Sequence, residues 1–403
     1  IVPALWVSLN GYVDAIKVSG TLSNQYYGAN DEFDPTGITV TYYDENGSGT
    51  TISYDESGSS GYTTNFSSLS GANQTLLISY SGLSAEVEQL VHRATYEFTE
   101  SPTQIDYDDA ILNTTDGEIS ASLSTGTYYK FGDYPQSAKD SDVSLSSGTV
   151  PSGKDGEGYY IGTDGNYYAL YGTSYYKIEP IIWRCLTTST DTGGTKALLF
   201  SEFCIDSGVV FYYNDTRSCS DPYVRRYTGE ETVEYEGEGE EDSETGENHT
   251  LYAYGYACQI YPNNYKYSTI RAYLNSIDAS TYHGGASDTS VYDFSSSSST
   301  PGFLTQAFTS SAQGRIVCST VDNSTSSAVS CDGSTGDPQI TRLCPDTQDK
   351  VFLLSLNEIT NGDYGFATSG SSDDSVRKKY RSDYANARGV YTKSGYAHVR
   401  ICC

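Results

Sequence analysis

Between residues 11 and 93 the chain alternates short apolar runs with clusters of turn-forming residues. Apolar side chains recur at about every second position in Ala15–Gly20, Gly37–Tyr43, Thr75–Tyr80 and Ala85–His92, and Asp44–Gly49 and Ser57–Gly61 interrupt them. A period of two marks half-buried strands, and several brief strands at this spacing predict a small β-sandwich. The first cysteine is Cys185, so this module must hold its core without a disulfide.

Residues 94–122 are polar and read as a linker or a first peripheral strand, and a larger domain spans 123–403. In it, 127–136, 175–184 and 196–202 are apolar, β-branched or aromatic runs that predict strands, some buried on both faces. Two helices follow. The first takes Ser268 as N-cap and sets Ile270, Tyr273, Leu274 and Ile277 on one face. The second takes Thr300 as N-cap and Pro301 as its first residue, with Phe303, Leu304, Ala307 and Phe308 facing inward. Val351–Leu356 reads as another buried strand. The mixture predicts an α+β domain.

Charge narrows the choice of partners. The chain carries 23 Lys and Arg against 52 Asp and Glu, a net charge of −29. Such a field repels phosphate backbones and anionic lipid heads, so no nucleic-acid partner and no membrane insertion are expected. Ten acids fall between Glu230 and Glu247, inside an insertion spanning 229–248 that reads as a solvated loop. It lacks the fixed ligand spacing of a calcium loop. The 39 tyrosines, 39 glycines and absence of methionine suit a recognition surface, or simply a β-rich exterior.

Catalytic signatures are sparse. We find no nucleophile elbow, zinc-protease helix, phosphate-cradling loop or dinucleotide-binding glycine pattern. The four histidines, His92, His249, His283 and His398, fall at a strand end, in the acidic loop, in a glycine-rich turn and near the last residue. The nine cysteines include no C-x-x-C pair, which leaves zinc without support. Cys219 and Cys258 bracket the acidic insertion and could staple its base, whereas Cys185 reads as a small buried hydrophobe. The expectation is a non-enzyme with no catalytic residue, metal or cofactor. One basic stretch, Arg377 to Arg400, interleaves cations with tyrosines. Its Tyr380, Arg381, Tyr384, Arg388, Tyr391, Lys393 and Tyr396 form a candidate binding face through stacking and cation–π contacts. The simpler alternative is a solvated helix and turn that balances local acidity.

Two resemblances add to these readings. The segments Ile16–Gly20, Tyr27-Gly28, Phe33–Val40 and Ile78–Gly82 resemble, in order, a bacterial Ig-like domain of surface proteins. That likeness implies a spacer or adhesion module in which the phenylalanine and the strand after it form core. The ordered motifs Phe131-Gly132-x-Tyr134-Pro135-Gln136, Glu179-Pro180-Ile181-x-Trp183-Arg184, Ala197-Leu198-Leu199-x-Ser201-Glu202, Ile270-Arg271-x-Tyr273-Leu274-Asn275 and Lys350–Glu358 resemble a bacterial domain of unknown function. That domain often follows Ig-like modules on surface proteins of host-associated anaerobes, and it is similar to the C-type-lectin-like and formylglycine-generating-enzyme folds. The resemblance covers roughly 127–397. Cys318, Cys331 and Cys344, evenly spaced by 13, do not reproduce that enzyme's cysteine arrangement, and the loop and Trp-Asn-Asp run of calcium-dependent lectins are missing. Family members continue into a Trp-Trp-Leu-Arg-Ser run and close on a strand close to Val-Pro-Ala-Leu. Here that run is missing, while residues 1–10 look like the closing strand of another copy. A fragment of a tandem array or a frame change explains this plainly. A sharper explanation has Ile1, Val2, Leu5 and Val7 complementing a neighbouring molecule's open domain.

The resulting expectation is an extracellular bacterial cell-surface protein. It would pair an Ig-like β-sandwich with an α+β, C-type-lectin-like C-terminal domain, and bind a host or neighbouring-cell protein or glycan. The alternative is a structural subunit of a filament or surface layer, self-associating head to tail by strand complementation.

Overall fold

A computed structural model of the protein describes residues 14–106, 126–149, 159–209, 265, 268–278, 293–295, 300–323, 346–368, 376–389 and 394–396. These residues fall into two compact units. The first holds 14–97, 139–149 and 159–175, and the second holds 98–106, 126–138 and the described residues from 176 onward.

The first unit begins with β1 (Ala15–Gly20), β2 (Tyr26–Tyr27), β3 (Ile38–Tyr43), β4 (Gly49–Ile52), β5 (Thr63–Thr64), β6 (Gly71–Tyr80) and β7 (Leu83–Arg93). They form a sheet in the order β1-β3-β4 and another in the order β2-β7-β6-β5. Alternation in each strand turns Val40, Leu76, Ile78, Val87 and Val91 into one core with Leu22, Tyr27, Phe33 and Phe66. This is a β-sandwich built without a disulfide, as the alternating pattern predicts. Two residues, Ser81 at φ 51° and Gly82 at φ 79°, turn β6 into β7, the left-handed geometry that matches a hairpin's twist. The short strands β2, β4 and β5 lack an alternating signal of their own. They exist because a longer neighbour supplies the ladder.

Two side chains lock the edge where β2 runs parallel to β7. His92, 8% exposed, stacks on Tyr26 with centroids 4.9 Å apart, and its Nδ1 accepts the Asn73 N–H at 3.0 Å. Burial lowers its pKa. Arg93 donates from Nη1 to the carbonyls of Phe66, Ser67 and Leu69 at 3.1, 2.9 and 3.5 Å, and from Nη2 to Ala29 O at 3.1 Å. Its guanidinium lies 4.8 Å from the Phe66 ring centroid.

The chain then enters the second unit with β8 (Thr103–Ile105) and β9 (Tyr128–Ala138), and returns to the first with β10 (Leu145–Thr149), β11 (Tyr159–Gly162) and β12 (Tyr167–Tyr171). The compact unit that holds the sandwich therefore also takes in strands from beyond the 11–93 stretch of the sequence reading. Thr95 and Tyr96 donate their N–H groups to Gly165 O at 2.9 and 3.2 Å. A Cβ on Gly71, whose φ is +95°, would lie 2.6 Å from Thr163 O, so only glycine permits that approach. Residues 94–106 of the expected linker are thus ordered by hydrogen bonds, and the remainder of 94–122 lies outside the described residues.

The second unit is built on β13 (Ser174–Asp191), which pairs with β9 and with β14 (Gly194–Ser201), while β9 also pairs with β8. The expected strands at 127–136, 175–184 and 196–202 correspond to these three. Gly132, at φ +71°, lies so close to Phe308 that a Cβ would come within 2.4 Å of its ring. Trp183 Nε1 donates to Phe131 O at 2.7 Å, and Gln136 Nε2 donates to the carbonyls of Glu179 and Pro180 at 2.9 and 3.0 Å. The two sequence motifs are therefore two sides of one strand pair.

Helix α1 (Thr269–Asn275) begins as expected, with the Ser268 hydroxyl accepting from Arg271 N. It ends one residue before left-handed Ser276, so Ile277 falls outside it. Helix α2 (Phe303–Ala307) corrects the expected start at Thr300: its N-cap is Gly302, with no side-chain cap of its own. The Ser276 hydroxyl accepts the Thr305 N–H at 3.0 Å instead, so the end of α1 caps the start of α2. Then come α3 (Ser310–Gln313), β16 (Ser319–Val321) and β17 (Thr347–Asp349). The expected strand at Val351–Leu356 is a second correction. Residues 352–354 carry no ladder, and α4 (Leu356–Ile359) starts there on a capping box between Ser355 and Glu358. Phe352 and Leu354 of this run pack into a small core with Leu186, Ile359, Phe366 and Val376. Cys185 is a third correction: it is half-buried at a β-bulge, and Leu186 points inward.

Candidate functional site

The chemistry of the second unit gathers around β15 (Phe203–Cys204), which lies between two acids, Glu202 and Asp206. This strand runs parallel to β18 (Lys378–Arg381), pairing Phe203 with Tyr380 and Cys204 with Arg381. The short helix α5 (Asp383–Ala387) follows, capped by Ser382, whose N–H donates to Cys204 O at 2.9 Å. The C-terminal basic stretch is thereby laid against both acids.

Glu202 is buried at 4% exposure and receives three donors. Arg184 donates from Nε to Oε2 at 3.0 Å and from Nη2 to Oε1 at 3.1 Å, and Lys379 Nζ donates to Oε2 at 2.8 Å. The Arg184 guanidinium also meets the Tyr128 hydroxyl and covers that ring at 4.8 Å from its centroid. Lys379 Nζ lies 4.6 Å from the Phe200 ring centroid. Aromatic faces and one carboxylate thus replace the water that these cations lose.

Asp206 forms a second knot. Its Oδ2 accepts from Tyr134 Oη at 2.8 Å and from Tyr273 Oη, and the two hydroxyls lie 2.9 Å apart. Its Oδ1 forms an ion pair with Arg388 Nε at 2.5 Å and accepts from Ser207 N at 2.6 Å, while Arg388 Nε donates to Ser207 O at 3.0 Å. Burial, and then the charge of Asp206, push both phenols far above the usual tyrosine pKa. Burial works against the charge on Arg388, but adjacent Asp206 more than offsets it and raises that pKa. Burial and then Asp206 push the Cys204 thiol up to about 11. At neutral pH the cluster therefore holds protonated phenols and a protonated thiol around Asp206, which has three hydrogen-bond donors and a guanidinium beside it. It ties β9, β15, α1 and α5 together. It offers no activated nucleophile.

A third polar group joins Arg271 Nε to Asp349 Oδ1 at 2.8 Å, with Thr347 donating to Asp349 Oδ2 at 2.5 Å and Asn323 Nδ2 donating to Thr347 Oγ1 at 3.2 Å.

The expected binding residues separate. Tyr384 is 7% exposed and packs edge-on to Tyr134 and Tyr176, with centroids 5.7 and 5.3 Å apart. Arg388 covers the Tyr384 ring at 5.5 Å, and Tyr380 and Arg381 are half-buried. Arg377 and Lys379 are also buried, so this part of the basic stretch is interior rather than a solvated face. Tyr396 lies in β19 (Ser394–Tyr396), paired with β18. Tyr391, Lys393, Cys219, Cys258, the acidic insertion and Ile1, Val2, Leu5 and Val7 lie outside the described residues. Cys185, Cys204 and Cys318 are free thiols. Asp206 was missed as a central residue. The available signal was its place in Ser201–Ser207, where an acid close to Phe203 and Ile205 needs an internal partner.

Among the described residues no group of His, Cys, Asp and Glu is arranged to hold a metal ion, and no helix is long and apolar enough to cross a membrane. No curated protein and no solved structure matches the chain. The motifs around residues 131–136, 179–184 and 197–202 lie ahead of the residues that a family model matches. From residue 247 to residue 398 the chain carries a domain of unknown function, DUF6273.

Proposed function

We propose that this chain is a non-enzymatic extracellular recognition protein of a bacterial surface, binding a protein or glycan partner. In this reading the first unit is an Ig-like spacer and the second a C-type-lectin-like display domain. A sandwich with separate three- and four-stranded sheets supports the former, and antiparallel strands packed with short helices support the latter. The carrying observation is how the buried charge is used: Glu202, Asp206 and Asp349 each accept hydrogen bonds from the chain's own side chains. Acids engaged in this way hold a scaffold in shape, and contact with a partner then falls to the tyrosine-, serine- and glycine-rich exterior.

The test presents the purified chain to immobilised glycans and cell-surface proteins, with Asp206→Asn and Cys204→Ala assayed alongside for any hydrolytic or transfer activity. Saturable binding without turnover supports the reading. Turnover that disappears in either variant, with the fold retained by circular dichroism, discards it.

A further inference from the structure

The β3–β4 hairpin turns through Asp44-Glu45-Asn46-Gly47-Ser48, and all but Asp44 of these residues are exposed. Gly47 sits at φ +77°. Asp44 organises the turn, with Oδ1 accepting from Asn46 N at 2.9 Å and Ser48 N at 2.8 Å, and its carbonyl accepting from Gly47 N at 2.8 Å. Among the described residues no hydrogen bond holds the Asn46 side-chain amide, and Gly47 has no Cβ to shield its nitrogen.

A second described Asn-Gly pair, Asn361-Gly362, differs in exposure and in what holds the asparagine side chain. Asn361 is half-buried, and its Oδ1 accepts from Asp363 N at 2.9 Å as the N-cap of a 3-10 turn. Its carbonyl also accepts from Tyr364 N and Phe366 N at 3.1 and 3.3 Å. Turning this side chain back onto Gly362 N would break the cap and disturb that turn.

We propose that Asn46 is a site of spontaneous deamidation, favoured over Asn361 by side-chain freedom and exposure. Once the Gly47 N–H leaves Asp44 O and solvent base removes its proton, that nitrogen attacks Asn46 Cγ. A C–N bond forms and the Cγ–NH2 bond breaks, so ammonia leaves and a succinimide remains. Water then opens the ring at either carbonyl, giving aspartate or isoaspartate with no change of oxidation state. The glycine permits the ring because it brings no side chain against it and turns freely. The product adds a negative charge beside Asp44 and Glu45. The isoaspartate form also lengthens the backbone by a methylene at a turn whose flanking register pairs Tyr43 with Gly49.

The test ages the full-length protein in mildly alkaline buffer at body temperature, then maps peptides by mass and probes them for isoaspartate. Deamidation at Asn46 should run about tenfold faster than at Asn361, because the latter must first lose its cap. Gly47→Ala should slow the reaction at Asn46, and Asn46→Gln should remove it, with the Asn361 peptide unaffected in both. Equal rates at the two sites, or an Asn46 peptide unchanged when the Asn361 peptide has deamidated, would overturn the proposal.

Discussion

Arg93 does for the first unit what a run of caps would otherwise have to do. One guanidinium meets four carbonyls and the face of Phe66, a fork that an ammonium cannot reproduce. Arg93→Lys should therefore cost about 2–3 kcal/mol in chemical denaturation, much of it from carbonyls left without donors. Its neighbour His92 introduces a pH dependence. Its folded pKa lies below the ordinary value of 6.5, so the unfolded chain takes up the proton first. The stabilisation from neutral His92 is complete above 6.5 and is lost as pH falls towards the lowered folded pKa. Denaturation midpoints measured across that window should fall less in His92→Gln than in the parent. Neither role was legible in advance: His92 showed only as the end of a strand, because its partner Asn73 N–H belongs to a different strand.

Elements that signal themselves locally matched the sequence, and those set by a neighbour did not. Strands β1, β3, β6 and β7 follow from period-two alternation, and α1 from Ser268 and the apolar spacing after it. The start of α2 could not be read from Thr300-Pro301, because its cap arrives from Ser276, 29 residues upstream of Thr305. Ser276→Ala should lower stability by about 1 kcal/mol through that lost cap. Ser276→Gly should cost less, since the residue sits at φ 53°, where glycine is unstrained. Gly302→Ala is the harsher change. Its Cβ would lie 2.3 Å from Tyr273 O, and the overpacking should cost at least about 1–3 kcal/mol, read as a lower thermal midpoint. The run Val351–Leu356 misled for the converse reason: its apolar residues pack against a core, but Ser355 and Glu358 close a helix start within it.

For the molecule as a whole, charge carried less meaning as a net value than as a set of pairings. The basic stretch near Arg377–Arg388 is legible as unusual, yet its cations and tyrosines read in sequence as an outward face. Their acids, Glu202 and Asp206, lie far away in sequence, so only the fold reveals the match. Asp206→Asn keeps the shape but leaves Arg388 without its counter-charge. It should destabilise the second unit by about 3–5 kcal/mol in urea titration followed by near-ultraviolet circular dichroism.

The sandwich also has an order of assembly written into its connectivity. Thr95 and Tyr96 cannot bond to Gly165 until the chain has been synthesised past that residue, so the part encoded earliest is among those finished late. A growing polypeptide stopped short of that point would leave the Thr95 and Tyr96 N–H groups without Gly165 O and the backbone at Gly71 without Thr163 beside it, an edge open to chaperones and proteases alike.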